Sequence, residues 1–119
     1  MELKIINISY DLDVDGLYSV FFEYENGYFC LSRNLDEDDE EVYLEKDEQN
    51  DAVYIYPNKI KYTIDNSKVE FLIDKNIDLK NFSHHWVLHI EFMDVKQYSE
   101  IEQVLIKIFG SVSDEAQIY

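Results

Sequence analysis

Between residues 17 and 33 two aromatic-rich runs flank the dipeptide Asn26-Gly27. Asn-Gly supplies the two positive-φ residues of a type I′ turn, and the flanking Val, Phe and Tyr residues suit a pleated, half-buried surface. The feature predicts an antiparallel hairpin. A two-residue loop at that dipeptide sets Tyr24 opposite Phe29, Phe22 opposite Leu31 and Val20 opposite Arg33, with Phe21, Glu23 and Glu25 on the other side. One face is then apolar and ends in an arginine.

A second hairpin is read over residues 58–74. Ile60, Tyr62 and Ile64 alternate with Lys59, Lys61 and Thr63, and Asp65-Asn66-Ser67 turns the chain into Val69, Phe71 and Ile73. The period of two is that of a strand with one buried face. Leu3, Ile5, Ile6 and Ile8 predict an N-terminal strand, residues 42–46 a short one, and residues 82–92 another, with Phe82, Trp86, Leu88, Ile90 and Phe92 on one side. Asp94 and Gln97 have the residue types of an N-cap and its capping partner three positions on. Val95, Tyr98, Ile101, Val104, Leu105, Ile108 and Phe109 follow at helical spacing, and Gly110 fits a C-terminal stop. Hairpins closed by one amphipathic helix make an α+β domain: an antiparallel β-sheet with the helix packed on one face. With three Gly, one Pro and no internal repeat, the 119 residues read as one domain, an ordered core over 1–110 and a tail over 111–119.

Charge narrows the class of partner. The chain has 26 Asp and Glu against 10 Lys and Arg, a formal net charge of −16. Bare nucleic acid and an anionic membrane surface would repel it, whereas its field would steer a basic protein towards it. The N-terminal residues lack the basic and apolar stretches of a signal peptide, and no apolar run reaches the roughly 20 residues of a membrane span. The single Cys30 lies in an apolar stretch without a second Cys. These features predict a reduced, cytoplasmic protein with no membrane anchor; nothing in them sets an oligomeric state.

Two metal patterns fail on spacing. Asp11, Asp13, Asp15 and Gly16 match the opening of a calcium loop, but its twelfth position, which needs a bidentate Glu, is Phe22. A turn with Asx hydrogen bonds between strands accounts for the same residues. His85 and His89 lie four residues apart, roughly 13 Å on a strand, and His84 projects to the opposite face. No nucleophile elbow, phosphate-binding loop, dinucleotide fingerprint or His-Glu-x-x-His is present, so neither an enzymatic role nor a cofactor is expected.

The acidic stretch dominates the surface. Residues 34–51 hold ten carboxylates and one Lys46, which makes −9 of the total −16. Asp36, Glu37, Asp38, Asp39, Glu40 and Glu41 are consecutive, and with Tyr43, Asp47, Asp51, Tyr54 and Tyr56 they form the expected partner-binding surface: aromatic anchors supply binding energy and charges raise the on-rate. Arg33, at the end of an apolar strand face, calls for a carboxylate, and Glu45 is the candidate.

Arg33, the acidic spacer, Tyr43-x-Glu45-x-x-x-Gln49, the hairpin after residue 58 and the helix ending Ile108-Phe109 come in an order that resembles the immunity protein 10 family of bacterial polymorphic toxin systems. After Gln49 the chain departs from that pattern, with Asn50-Asp51-Ala52-Val53-Tyr54-Ile55-Tyr56-Pro57 in place of a Gly-rich aromatic stretch. The resemblance implies a small cytoplasmic antidote, without catalysis, that binds a cognate toxin domain and occludes its functional surface. The carboxylates would occupy the place of substrate phosphates in a basic cleft. Two other readings stand beside it: a calcium-responsive module built on Asp11, Asp13 and Asp15, and an acidic nucleic-acid mimic acting on DNA-binding proteins.

Overall fold

A computed structural model describes residues 1–47, 51–65, 67–79, 82–91 and 93–110. Gln49, Asn66, Phe92 and the 111–119 tail lie outside the described residues, as does the side chain of Asp51. The elements run β1 (Glu2–Val14), β2 (Leu17–Tyr24), β3 (Gly27–Asn34), β4 (Val42–Lys46), β5 (Asp51–Ile55), a 3₁₀ turn (Pro57–Lys59), β6 (Ile60–Ile64), β7 (Lys68–Ile73), β8 (His85–Ile90) and α1 (Val95–Phe109). They form an α+β fold with one eight-stranded sheet in the order β5-β4-β3-β2-β1-β8-β7-β6. Two antiparallel meanders, β1 to β5 and β6 to β8, meet where β1 pairs with β8 in parallel, Glu2 beside Val87 through Ile5 beside Ile90.

The sheet is strongly curled. β5 and β6 are its two edges, which in a flat sheet of eight strands would stand about 34 Å apart. Five Cα steps, at most about 19 Å, connect Ile55 to Ile60. The edges must therefore bend towards each other, and the rings agree: Phe29 on β3 and Phe71 on β7, four strands apart in the order, have centroids 5.8 Å apart. The concave side is the core. Val20, Phe22, Phe29, Leu31, Leu44, Val69, Phe71, Trp86 and Leu88 are essentially fully buried there.

Helix α1 fills this concavity with Ile101, Val104, Leu105, Ile108 and Phe109. The Phe109 ring lies 5.1 Å from Tyr62 and 6.1 Å from Phe71. At its start the Asp94 carboxylate accepts the Gln97 N–H at 2.7 Å, satisfying a donor that has no partner within the helix, and Gly110 (φ 67°) ends it. Val95, expected on the buried stripe, is instead 88% exposed, because it opens the first turn beyond the reach of the sheet.

The second hairpin forms with its expected alternation and turn: Ile60 pairs with Ile73 and Tyr62 with Phe71, and Asp65 Oδ1 accepts the Ser67 N–H at 2.8 Å. The first hairpin differs. Tyr24 pairs with Gly27, Phe22 with Phe29 and Val20 with Leu31, so the loop is Glu25-Asn26, and neither Asn26 nor Gly27 has a positive φ. The register moves by two residues, which leaves every side chain on its expected face. Gly27 is needed for space. A Cβ there would stand 1.8 Å from Asp47 Oδ1, so glycine admits a carboxylate from the β4–β5 turn. Three further limits change: β1 continues to Val14, β8 begins only at His85, with Phe82 buried in the preceding loop, and residues 51–55, not foreseen as a strand, form the edge strand β5.

Candidate partner-binding surface

The loop between β3 and β4 carries the acidic run, and its conformation is set by Asn34. The Asn34 side-chain oxygen accepts the N–H groups of Asp36 (3.0 Å) and Glu37 (3.1 Å), while its own N–H donates to Asp39 Oδ2 (3.0 Å). The loop is also tied to the β1–β2 turn, where Leu35 N–H donates to Gly16 O at 2.9 Å. Gly16 has φ 84°, and a Cβ there would lie 2.3 Å from Asp36 Cγ. Two acidic segments far apart in sequence, 11–15 and 36–41, are thereby brought to one end of the sheet. Asp36, Glu37, Asp38, Asp39 and Glu40 are exposed and Glu41 is half-buried. None of the six carboxylates forms an ion pair among the described residues.

Register divides the remaining expected residues between two ends. Val42 pairs with Ile55, so Tyr56 emerges beside Glu41, and Tyr43 pairs with Tyr54 with ring centroids 5.1 Å apart. Tyr54 and Tyr56 flank buried Ile55 and are 66% and 52% exposed. Asp36, Glu37, Asp38, Asp39, Glu40 and Glu41 thus share one end and edge with Tyr43, Tyr54 and Tyr56. Lys46 pairs with Asp51, which places Asp47 and Asp51 at the other end of β4, four residues or about 13 Å away.

Asp47 is engaged internally. Its carboxylate accepts the Tyr24 hydroxyl at 2.6 and 2.5 Å, the Tyr28 N–H at 2.9 Å and the Lys46 ammonium. Burial raises its pKa, but the Lys46, Tyr24 and Tyr28 bonds outweigh that and hold it below the usual carboxylate range. It pins the β2–β3 turn to the β4–β5 turn.

The expected Arg33–Glu45 pair is absent. Arg33 points to the concave side, where its Nη1 donates to Ile108 O at 2.8 Å at the C-terminal end of α1 and its Nε to Asp39 O at 2.7 Å. Carbonyls at a helix C-terminus attract a cation as a carboxylate would, and residue types alone do not distinguish the two. Glu45 lies on the convex face, where it accepts the hydroxyls of Tyr28 and Tyr43. Those bonds depress the Glu45 pKa, and the Glu45 bond pushes Tyr43 up to about 12. Burial, followed by the Glu45 charge, pushes the Cys30 thiol up to about 11, so it is not an activated nucleophile.

The metal patterns disperse. Asp11 accepts Ser19 Oγ at 2.7 Å, and Asp13 Oδ1 accepts the Gly16 N–H at 3.2 Å in an Asx-type turn. His84 contacts Ile77 O, His85 Glu70 and His89 Glu2. Among the described residues no group of three His, Cys, Asp or Glu could hold a metal ion, and no helix is long and apolar enough to cross a membrane.

One feature escaped the sequence reading. The alternation that buries Phe22 and Phe29 turns Phe21 and Tyr28 outwards, where their rings stack at 4.6 Å and 21°. The cue was an aromatic residue on both faces of one hairpin. Residues 7–56 also hold fifteen of the 26 acidic residues and only two cations, Arg33 and Lys46. Both cations are held by groups of the chain itself. Comparison with protein-family models, curated proteins and solved structures found no match to the chain.

Proposed function

We propose that the protein neutralises a protein toxin by binding it through the β1–β5 half of the sheet and occluding its working surface, as the resemblance to the immunity protein 10 family implies. The observation that supports this reading is the shared end of the sheet at which six carboxylates with no cationic partner among the described residues adjoin exposed Tyr54 and Tyr56. Charge of one sign beside aromatic anchors suits fast, selective capture of a basic protein. The action is steric and electrostatic and requires no group of the chain to react.

The test has two parts. The tagged protein captures partners from lysate of its source at low salt, and the gene of any captured basic protein is expressed with and without this chain. Growth rescue supports the reading, whereas capture of many DNA-binding proteins would favour a nucleic-acid mimic. With the partner in hand, exchanging Asp36, Glu37, Asp38, Asp39, Glu40 and Glu41 for Asn and Gln should lower the association rate most at low salt, since exposed charges are screened within about 8 Å at physiological ionic strength. Equal on-rates across a salt series would remove the loop from the mechanism.

A further inference from the structure

The convex face holds a recess between β1 and β2, lined by Ser9, Asp11, Ser19, Phe21 and Glu23, and its Asp11 end leads to the β1–β2 turn that meets the acidic loop. The register there sets Asn7 beside Glu23, Ser9 beside Phe21 and Asp11 beside Ser19. Small Ser9 and Ser19 leave space next to the Phe21 ring, and the recess between them has a volume of about 350 Å³. Tyr28 stacks on Phe21 from the β3 side and holds the ring in place. Glu23 and Asp11 stand at opposite corners. Each is oriented by a neutral donor, Asn7 Nδ2 to Glu23 Oε1 at 3.2 Å and Ser19 Oγ to Asp11 Oδ2 at 2.7 Å, and neither has a cationic partner among the described residues.

We infer that this recess is a docking site for arginine side chains of a basic protein segment. An aromatic floor with a carboxylate at its rim matches a guanidinium, which stacks flat on a ring while its edge N–H groups donate to an acid. A metal ion does not fit: the carboxylates belong to strand positions about 13 Å apart, too far for one ion but suited to two cationic groups on one segment. A lysine ammonium has the charge without the plane. Charge complementarity selects the same occupant, since residues 7–56 hold fifteen acids and only two cations, Arg33 and Lys46, both already held. That the segment belongs to a toxin rests on the proposed function; the recess does not.

The probe is hexa-arginine amide, with hexa-lysine amide as its match, titrated at low salt into the ¹⁵N-labelled protein and followed by amide shifts. Hexa-arginine should move the amides of Ser9, Asp11, Ser19, Phe21 and Glu23 and bind several-fold tighter than hexa-lysine. In the Asp11→Asn/Glu23→Gln double variant its affinity should fall by about fivefold or more, the scale of two exposed ion pairs. Phe21→Leu should reduce the preference for arginine, while Glu37→Gln/Asp38→Asn should leave it unchanged. Thermal melts that match wild type establish that the variants are folded. No binding, equal affinity for the two peptides, or shifts centred on residues 36–41 would overturn the inference. Binding at the recess without growth rescue would refute the toxin reading and sustain the recess; rescue with shifts confined to the acidic loop would do the reverse.

Discussion

Replacing Asp47 by alanine tests the claim that this carboxylate holds two turns together instead of meeting a partner. The change removes the acceptor for the Tyr24 hydroxyl and for the Tyr28 N–H, whose bond to Oδ1 is 2.9 Å. Bonds to a charged acceptor contribute about 1.5 to 3 kcal/mol each when buried, and partial hydration of this site brings the pair to about 2 kcal/mol. Asp47 also sits at φ 59°, a conformation that Asp tolerates better than Ala, which adds about 1 kcal/mol. The total of about 3 kcal/mol should lower the melting temperature by about 10 °C for a chain of this size. Circular dichroism melts and urea titrations measure both quantities. Gly27→Ala should destabilise by the same route, because its Cβ would stand 1.8 Å from Asp47 Oδ1 and push the carboxylate out. The double variant should then cost about 1 to 2 kcal/mol less than the sum of the two. The pH dependence has a definite sign: the Asp47 pKa is depressed by folding, so its contribution is complete above the unfolded value of about 3.9 and is lost as pH falls through the lower folded value. The gap between wild type and Asp47→Ala should therefore narrow in acid to the pH-independent backbone part. A loss of less than about 0.5 kcal/mol, or strict additivity with Gly27→Ala, would refute the reasoning.

Arg33→Ala should cost about 1 to 2 kcal/mol by freeing the Ile108 and Asp39 carbonyls, and a double-mutant cycle with Glu45→Gln should show no coupling beyond about 0.5 kcal/mol, because the two side chains lie on opposite faces. Coupling above that would restore the pair that residue types suggest. Cys30, with its thiol raised to about 11, should react slowly with a thiol reagent at neutral pH in the folded protein and readily in urea. Equal rates in the two conditions would contradict the protection of this half-buried thiol by the fold.

Features set by local chemistry were legible in the sequence. Alternation placed Ile60, Tyr62, Phe71 and Ile73 on one face, and Asp94 marked the start of α1, because period and cap depend on near neighbours alone. Features set by distant contacts were not. Asn26-Gly27 has the composition of a turn, yet its glycine answers to Asp47, twenty residues on; Arg33 answers to Ile108, seventy-five residues on. The strand at residues 51–55 carries a short Ala-Val-Tyr-Ile run that becomes a strand by pairing with β4. At the candidate surface, sequence proximity grouped Asp47 and Asp51 with the acidic run, while register moved them to the far end and brought the 11–15 turn to it instead.

The parallel seam between β1 and β8 has a consequence for how the chain comes to be folded. Glu2 and Val87 are paired although 85 residues separate them, so the seam carries the highest loop-closure entropy of any pairing in the sheet. During synthesis at roughly 5 to 20 residues per second, the β1 segment waits about 5 to 20 s before β8 emerges to cover it. Throughout that interval β1 is an open edge beside a nascent hairpin, the geometry that templates aggregation. Glu2 and Lys4, charged and exposed on that same stretch, act as gatekeepers for a strand that the chain is slow to close.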